Sequence, residues 1–197
     1  MWVFANIELA LKQNGDVLRT ADLVGMGFSK PAIAELVRSR KIDRVAHGIY
    51  VRAGEFADEM HLLQMRSSRI VFSHESALWL NGLSDREPFR MSVTVVRGVP
   101  LAVSLRGLCD CHYVDRELLG VGLSAAKTTH GHVVRCYSPE RTICDIVRDS
   151  SRIGIEEVTD GLKRYAAGKE KNLVELMRIA AMFKIEDEMA KYMGVLS

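Results

Sequence analysis

The residues best suited to metal chemistry lie in the second half of the chain. Cysteine and histidine, the commonest zinc ligands, occur there close together: Cys109, Cys111, His112, His130, His132 and Cys136. One residue separates the two cysteines, whereas structural zinc sites usually place about two to four residues between ligands. On a strand, Cys109 and Cys111 share one face and His112 lies on the other. The pattern therefore favours buried free cysteines, and we predict no metal and no cofactor.

Two further pairs carry groups for acid–base or ionic chemistry. His74 and Glu75 place a base beside a carboxylate, which could be catalytic, but no nucleophile motif lies near them. A capping and packing role is therefore favoured for His74. Arg141 and Asp145 are four residues apart on one helix face and can form an ion pair. We predict that Arg141 ties the start of its helix to a carboxylate or to carbonyl groups at a strand end.

Motifs of enzymes are otherwise missing from the sequence. The Gly120-x-Gly122 pair lacks the third glycine of a nucleotide-binding loop. No Ser/His/Asp set and no pair of carboxylates has a recognisable spacing. We therefore predict that the protein is not an enzyme.

Charge is unevenly distributed along the chain. The whole sequence has a net charge of only +2, which argues against a polyanion partner. Residues 1–54, however, contain eight basic and five acidic side chains, and the remainder contains 19 basic and 20 acidic ones. The positive excess therefore lies in the first quarter of the chain, and such asymmetry is a hint of nucleic-acid binding.

The elements that position these charges follow from periodicity and turn residues. Apolar residues at helical spacing predict a first helix over residues 3–13. Thr20 is a good N-cap for a short second helix ending near Gly25, and Ser29 caps a third with Pro31 in its first turn. The third helix has an inner face of Ile33, Leu36 and Val37 and an outer face of Lys30, Ala34, Arg38 and Lys41. Residues 42–51 then form a two-stranded ribbon that turns at His47-Gly48.

Three short helices followed by a ribbon are typical of a winged helix-turn-helix. A helix fits the major groove of duplex DNA, and the ribbon can lie along the backbone. We predict a DNA-binding domain over residues 1–54, whose contacts come from Ser29, Lys30, Arg38, Lys41, Arg44 and His47. The alternative is a module of the same shape that binds protein or dimerises without DNA.

Residues 55–197 predict a second, mixed domain. A helix over residues 55–68 and one capped by Ser73 precede three strands, over residues 91–96, 108–114 and 132–137. Ser138-Pro139 starts another helix, and three helical stripes follow residue 153. The fold class is α+β: an N-terminal winged helix-turn-helix, then a mixed α/β domain with a helical C-terminal end.

Composition excludes several other classes. The hydrophobic share of 48% and the charged share of 26% are ordinary for a globular protein. No apolar run reaches the roughly 18 residues of a membrane span, and the N-terminus lacks the basic segment of a signal peptide. Four cysteines in a chain of this length do not make a disulfide framework. We expect a cytoplasmic protein with no membrane partner.

Three segments carry a resemblance to a known family. The first combines Thr-Ala-Asp-Leu at residues 20–23, Ser29 with Leu36-Val37, and Arg-Val-Ala-His-Gly-Ile-Tyr at residues 44–50. The others are Ser-His-Glu-Ser-Ala-Leu-Trp-Leu-Asn-Gly-Leu at residues 73–83 and Tyr-Ser-Pro-Glu-Arg-Thr-Ile-Cys-Asp at residues 137–145. In this order they resemble the AbiEi-type antitoxins of bacterial AbiE abortive-infection (type IV) toxin–antitoxin systems. Here the first helix begins almost at Met1, which leaves little room for an extra N-terminal segment.

The resemblance implies a function in two parts. The N-terminal winged helix would bind inverted repeats in double-stranded operator DNA and repress its own operon. The C-terminal domain would neutralise a nucleotidyltransferase-like toxin, directly or only functionally, in phage defence. Within the matching segments, the resemblance suggests a surface that opposes the toxin, formed by His74, Glu140, Arg141 and Asp145.

Two other functions stay open at this point. The chain could be a plain winged-helix regulator whose C-terminal domain senses a ligand or a partner. It could also be an enzyme, a kinase or nucleotidyl-transfer factor that modifies the toxin. That alternative draws only on His74, Glu75 and the pair of Arg141 with Asp145.

Overall fold

A computed structural model describes residues 2–54 and 57–195 and divides the chain into two units, Met1–Asp58 and Glu59–Ser197. Each unit contains both helices and strands, so the α+β class is confirmed. The first unit has three helices and a small sheet, and the second packs its helices on a larger mixed sheet.

The N-terminal unit is built around a three-stranded antiparallel sheet. Its elements are α1 (Trp2–Gln13), β1 (Val17–Arg19), α2 (Thr20–Gly25), α3 (Lys30–Arg38), β2 (Ile42–Ala46) and β3 (Ile49–Arg52). The strand order is β1-β3-β2. Its core joins all three helices to the sheet through Ile7, Leu11, Leu18, Leu23, Ile33, Leu36, Ile42 and Tyr50.

The ribbon of β2 and β3 is confirmed, but β1 was not predicted. Gly15 and Asp16 both adopt positive φ angles, of 66° and 57°, and this turn brings Val17 opposite Val51. A run of three residues is too short for its alternation to be recognised.

The N-terminal cap of α3 agrees with the prediction, whereas that of α2 does not. Ser29 caps α3 as predicted, because its Oγ accepts a hydrogen bond from the amide of Ala32 at 3.3 Å. Thr20, in contrast, is the first residue of α2 and not its N-cap. The cap position belongs to Arg19, whose amide donates to the carboxylate of Asp22 at 2.7 Å.

The C-terminal unit contains the remaining five strands and eight α-helices of the described residues, together with a short 3-10 helix at Arg116–Leu118. The strands are β4 (Val71–Phe72), β5 (Met91–Val96), β6 (Cys109–Val114), β7 (Leu123–Lys127) and β8 (Val133–Tyr137). The helices are α4 (Glu59–Arg66), α5 (His74–Leu80), α6 (Val103–Arg106), α7 (Pro139–Arg148), α8 (Ser150–Ile153), α9 (Ile155–Ala167), α10 (Leu173–Phe183) and α11 (Glu186–Val195).

The sheet of this unit is mixed, with strand order β6-β5-β4-β8-β7. The pairs β5–β6 and β4–β8 are parallel, and the pairs β4–β5 and β7–β8 are antiparallel. One hydrophobic cluster joins the sheet to α4, α6 and α5, and a second joins α5, α7, α9, α10 and α11. Along β5, Val93 and Val95 enter the first cluster, so Ser92 and Thr94 lie on the other face of the sheet.

Several boundaries in this unit differ from the prediction. Helix α4 begins at Glu59 and ends at Arg66, while the predicted start at residue 55 lies outside the described residues. Strands β4 and β7 were missed: β4 has two residues, and β7 shows no alternation of buried and exposed side chains. The three helices after residue 153 are confirmed.

Candidate nucleic-acid interface and buried polar centre

Helix α3 separates an apolar face from a polar one. Ile33 and Leu36 are buried, and Lys30, Ala34 and Arg38 are exposed at successive i, i+4 positions. Lys41 is also exposed, but it follows the end of the helix at Arg38, so its predicted place on the helical face is corrected. The cap residue Ser29 is exposed as well, and it marks the helix end whose amides favour anions.

An ion pair offsets part of the charge on α3. The guanidinium of Arg38 lies 2.6 Å from the carboxylate of Glu35 one turn earlier, and both side chains are largely exposed. Such an exposed pair contributes little to stability. Lys30 and Arg38 therefore present two cations separated by two turns of the helix.

The hairpin between β2 and β3 positions Arg44 and His47. The guanidinium of Arg44 donates to Nδ1 of His47 at 2.9 Å and to the carbonyl of Ala46 at 3.3 Å. Because arginine can only donate, Nδ1 of His47 is the acceptor. The amide of Thr20 donates to the carbonyl of Gly48 at 2.9 Å, which holds the hairpin tip to the start of α2.

One basic residue near these side chains was not among the predicted contacts. Arg40 is exposed, lies between α3 and Lys41, and has a φ of +51°, which is uncommon for a residue other than glycine. The signal in the sequence was the pair of adjacent cations after the helix. A backbone in the left-handed region cannot be recognised from that pair.

The predicted toxin-facing residues are buried. The side chains of His74, Arg141 and Asp145 have no exposed surface, and Glu140 is 8% exposed. They cannot contact a partner in this fold, so burial corrects the prediction that they form a surface.

Arg141 instead anchors the start of α7, as predicted from the sequence. Its Nε donates to both carboxylate oxygens of Asp145 at 3.0 Å, and its Nη1 donates to the carbonyls of Leu118 and Val121 at 2.9 and 2.8 Å. The guanidinium carbon lies 4.0 Å from the ring centre of Tyr137 and 4.2 Å from that of Phe183. The start of α7 is thereby fastened to the loop before β7.

Glu140 performs a similar role next to Arg141. Its Oε1 accepts hydrogen bonds from the hydroxyl of Tyr165 and the amide of Asn172, both at 3.2 Å. It thereby ties α7 to the segment between α9 and α10. Burial raises the pKa of Tyr165 above its ordinary value, and the negative charge of Glu140 adds to the effect.

His74 belongs to a buried polar centre that the sequence did not reveal. Its Nε2 lies 3.0 Å from Oδ2 of Asp149, and Nδ1 of His112 lies 3.1 Å from the same oxygen. The two imidazoles stack with ring centres 3.4 Å apart. Nδ1 of His74 is 2.9 Å from Oγ of Ser73, which accepts from the hydroxyl of Thr94 at 2.8 Å. The predicted cap for α5 is therefore corrected: among the described contacts, the Ser73 hydroxyl makes no cap hydrogen bond and serves this network instead.

Burial and hydrogen bonding set the charges of this centre. Burial lowers the pKa of His74, and the hydrogen bond to Asp149 opposes that effect. Hydrogen bonds from His112 and His74 hold the pKa of Asp149 well below its usual range. At neutral pH, His74 is therefore neutral and Asp149 is a carboxylate.

The cysteines and the other histidines do not join this centre. The sulfurs of Cys109 and Cys111 are 3.7 Å apart, on the opposite face of β6 from His112. His132 stacks on His61 with ring centres 4.3 Å apart, and His130 is exposed. All four cysteines are free, and burial raises the pKa of Cys109, Cys136 and Cys144 to about 12.

Comparison with known proteins gives a family match within the N-terminal unit. Residues 7–53 match the sequence model of a family described as "Transcriptional regulator, AbiEi antitoxin". This match confirms the resemblance over its first segment, while the segments at residues 73–83 and 137–145 lie outside the matched range. No curated protein matches the chain.

A solved structure shares the fold over most of the chain. It is the crystal structure of the RV2827C protein from Mycobacterium tuberculosis, with a TM-score of 0.65 and 16% sequence identity. The similarity covers 92% of this chain and 72% of that one. Separately, no helix among residues 2–54 and 57–195 is long and apolar enough to cross a membrane.

Proposed function

We propose that the chain is an autoregulating antitoxin. In this proposal residues 1–54 form a winged helix-turn-helix that binds double-stranded operator DNA with inverted repeats and represses transcription of its own operon. Residues 55–197 form the domain that neutralises a nucleotidyltransferase-like toxin encoded by the same operon. The observation that carries the proposal is the family match over residues 7–53, described as a transcriptional regulator and antitoxin.

The exposed face of α3 supports the DNA-binding part. An α-helix fits the major groove, and the N-terminal residues of a recognition helix reach the base edges. Ser29 and Lys30 lie at that end of α3, and Arg38 lies two turns further along the exposed face. In this arrangement α3 reads the operator sequence.

The hairpin and the turn after α3 support contacts to the DNA backbone. Arg44 and His47 are exposed near the hairpin tip, and Arg40 and Lys41 are exposed in the turn. Contacts of such cations to phosphate fix the register of a protein on the duplex and carry no sequence information. We assign these four residues to contacts with the sugar–phosphate backbone of the DNA.

DNA binding can be tested with two single variants and one matched control. We expect the full-length protein to retard duplex DNA from the region upstream of its own coding sequence in preference to an unrelated duplex of equal length. Lys30→Ala and Arg44→Ala should each weaken binding, and removing one cation from a phosphate should reduce the slope of log K against log salt by about one unit. Lys163→Ala, an exposed lysine of the C-terminal unit, should leave both quantities unchanged.

Two results would contradict the DNA-binding part. One is equal affinity for the upstream and unrelated duplexes. The other is a pair of variants, Lys30→Ala and Arg44→Ala, whose affinity and salt dependence equal those of Lys163→Ala.

The antitoxin part rests on the resemblance of residues 73–83 and 137–145, within the second unit. Since His74, Glu140, Arg141 and Asp145 are buried within these segments, we propose that neutralisation depends on the folded C-terminal unit and not on these four side chains themselves. We expect co-expression of the full chain with its cognate toxin to restore bacterial growth. The double variant Lys30→Ala/Arg44→Ala should lose repression of the operon and still restore growth.

The co-expression experiment separates the two activities. Rescue of growth by residues 1–54 alone would contradict the assignment of neutralisation to the C-terminal unit. A chain that represses its operon but never rescues growth would favour the plain regulator.

A further inference from the structure

We propose that His74, His112 and Asp149 form a binding site for a divalent transition-metal ion, for which Zn²⁺ is the probe. Within residues 2–54 and 57–195, they are the only group of three such residues whose ligand atoms come close together, all within 4.8 Å of one another. The inference concerns the C-terminal unit alone and does not depend on the proposed function.

The distances in this group are close to those of a coordination sphere. The ring nitrogens that approach Asp149 lie 3.0 and 3.1 Å from its Oδ2. Two ligands that are each about 2.1 Å from one ion, at the tetrahedral angle of about 109°, are separated by about 3.4 Å. An ion held by these three atoms therefore requires each nitrogen to move a few tenths of an ångström away from the carboxylate oxygen.

The ligand types select the kind of ion. Two imidazoles and one carboxylate suit zinc and its first-row neighbours better than calcium or magnesium, which prefer oxygen ligands. Zinc sites with three protein ligands keep the fourth position open to water or another molecule. His74 and His112 are buried, whereas the side chain of Asp149 is 23% exposed, so access is from the side of Asp149.

The surroundings of His74 orient it as a ligand. The hydroxyl of Ser73 is 2.9 Å from Nδ1, on the opposite side of the ring from Asp149, and Thr94 fixes that hydroxyl in turn. Metal-bound histidines usually have a carboxylate, a carbonyl or a water on the second nitrogen, and the Ser73 hydroxyl occupies that position here. His74 also has a φ of +48°, and such strained backbone is concentrated at functional sites.

Binding of an ion replaces the two hydrogen bonds from His74 and His112 to Asp149. In each imidazole the proton now directed at Asp149 moves to the other ring nitrogen, which for His74 can then donate to Ser73. The ring planes are 15° from parallel, so the two rings must also tilt for both lone pairs to meet one ion. The competing account is a stack of two imidazoles that only donate hydrogen bonds to one carboxylate, and it predicts no metal affinity.

Zinc titration of the chelator-stripped, full-length protein tests the site. By calorimetry we expect one Zn²⁺ per chain, with affinity at least about 100-fold weaker in His112→Gln and Asp149→Asn, since even substitutions around metal ligands cost about 10–100-fold. His130→Gln makes the same change at an exposed histidine and should bind as the unmodified protein does. Circular dichroism of each variant establishes that it is folded.

Other binding sites are distinguished by further variants. Loss of zinc in Cys109→Ser/Cys111→Ser but not in His112→Gln would place the ion on thiolates and overturn the proposal. Loss in His132→Gln alone would place it at the stack of His132 on His61 and have the same consequence. A flat titration of the unmodified protein would also overturn it.

A spectroscopic measurement on the unmodified protein keeps the test independent of variant folding. Co²⁺ bound to His74, His112 and Asp149 should show visible d–d bands without the near-ultraviolet band of a cobalt–thiolate bond. A thiolate band, or a spectrum identical to that of aqueous Co²⁺, would refute the assignment.

Discussion

Replacing Arg141 with methionine is expected to lower the free energy of unfolding of the C-terminal unit by about 3 kcal/mol or more, because removal of one partner of a buried ion pair typically costs 3–5 kcal/mol. The substitution removes the two hydrogen bonds to Asp145 and those to the carbonyls of Leu118 and Val121. Arg148, 3.2 Å from Asp145, compensates the carboxylate only in part. The carbonyl of Val121 then loses its hydrogen bond from Arg141, whereas that of Leu118 keeps the amide of Val121 as a donor at 3.2 Å.

Urea denaturation followed by tryptophan fluorescence can measure this decrease in the free energy of unfolding. The chain has two tryptophans, so a Trp2→Phe background leaves Trp79, in α5 of the C-terminal unit, as the single reporter. Arg178→Met is the matched control, since Arg178 forms an exposed pair with Glu175. Its unfolding curve should coincide with that of the background. An unfolding midpoint of Arg141→Met equal to that of the Trp2→Phe background would show that the buried anchor is dispensable.

Gly122→Ala is expected to destabilise the same unit by about 2–4 kcal/mol, since overpacking costs about 1–3 kcal/mol and a left-handed backbone costs alanine about 1 kcal/mol more. Gly122 has a φ of +67°, and a Cβ atom there would lie 2.5 Å from Cβ of Arg141. The clash is with an atom next to the backbone, so no rotation of the arginine side chain relieves it. The carbonyl of Gly122 also accepts from the amide of Ser138 at 2.8 Å, which holds the two segments together.

Gly131→Ala separates the steric cost from the backbone cost. Gly131 has a φ of +87°, and a Cβ atom there would meet nothing within 4 Å. Its substitution should therefore cost only about 1 kcal/mol, the penalty of the left-handed conformation. Equal losses for the two alanines in urea denaturation would mean that the close approach of Gly122 to Arg141 has no energetic weight.

The elements that could be predicted from the sequence are those with local signals. Ser29 with Pro31 and Ser138 with Pro139 mark the starts of α3 and α7, because a hydroxyl cap and a proline in the first turn act within four residues. The hairpin turn at Gly48 is equally local. Strands β1, β4 and β7 gave no such signal, since their residues are strands only through partners elsewhere in the chain.

The candidate sites also divide into features with local sequence signals and features that depend on distant parts of the chain. The exposed cations of α3 were predictable because the 3.6-residue period fixes which side chains share a face. The pair of Arg141 and Asp145 was predictable for the same reason, but its complete burial was not. Burial depends on Phe183 and the loop before β7, which are distant in sequence.

By itself, therefore, the sequence determined the α+β class, the basic N-terminal unit, its resemblance to AbiEi-type antitoxins and the two capped helices. Only the tertiary structure decided that His74, His112 and Asp149 meet, since Asp149 is 75 residues from His74 and 37 from His112. Their approach depends on the parallel pairing of β5 with β6, which places His112 beside Thr94, and on the end of α7. Local periodicity carries no information on such pairings, because they are set by the packing of the whole unit.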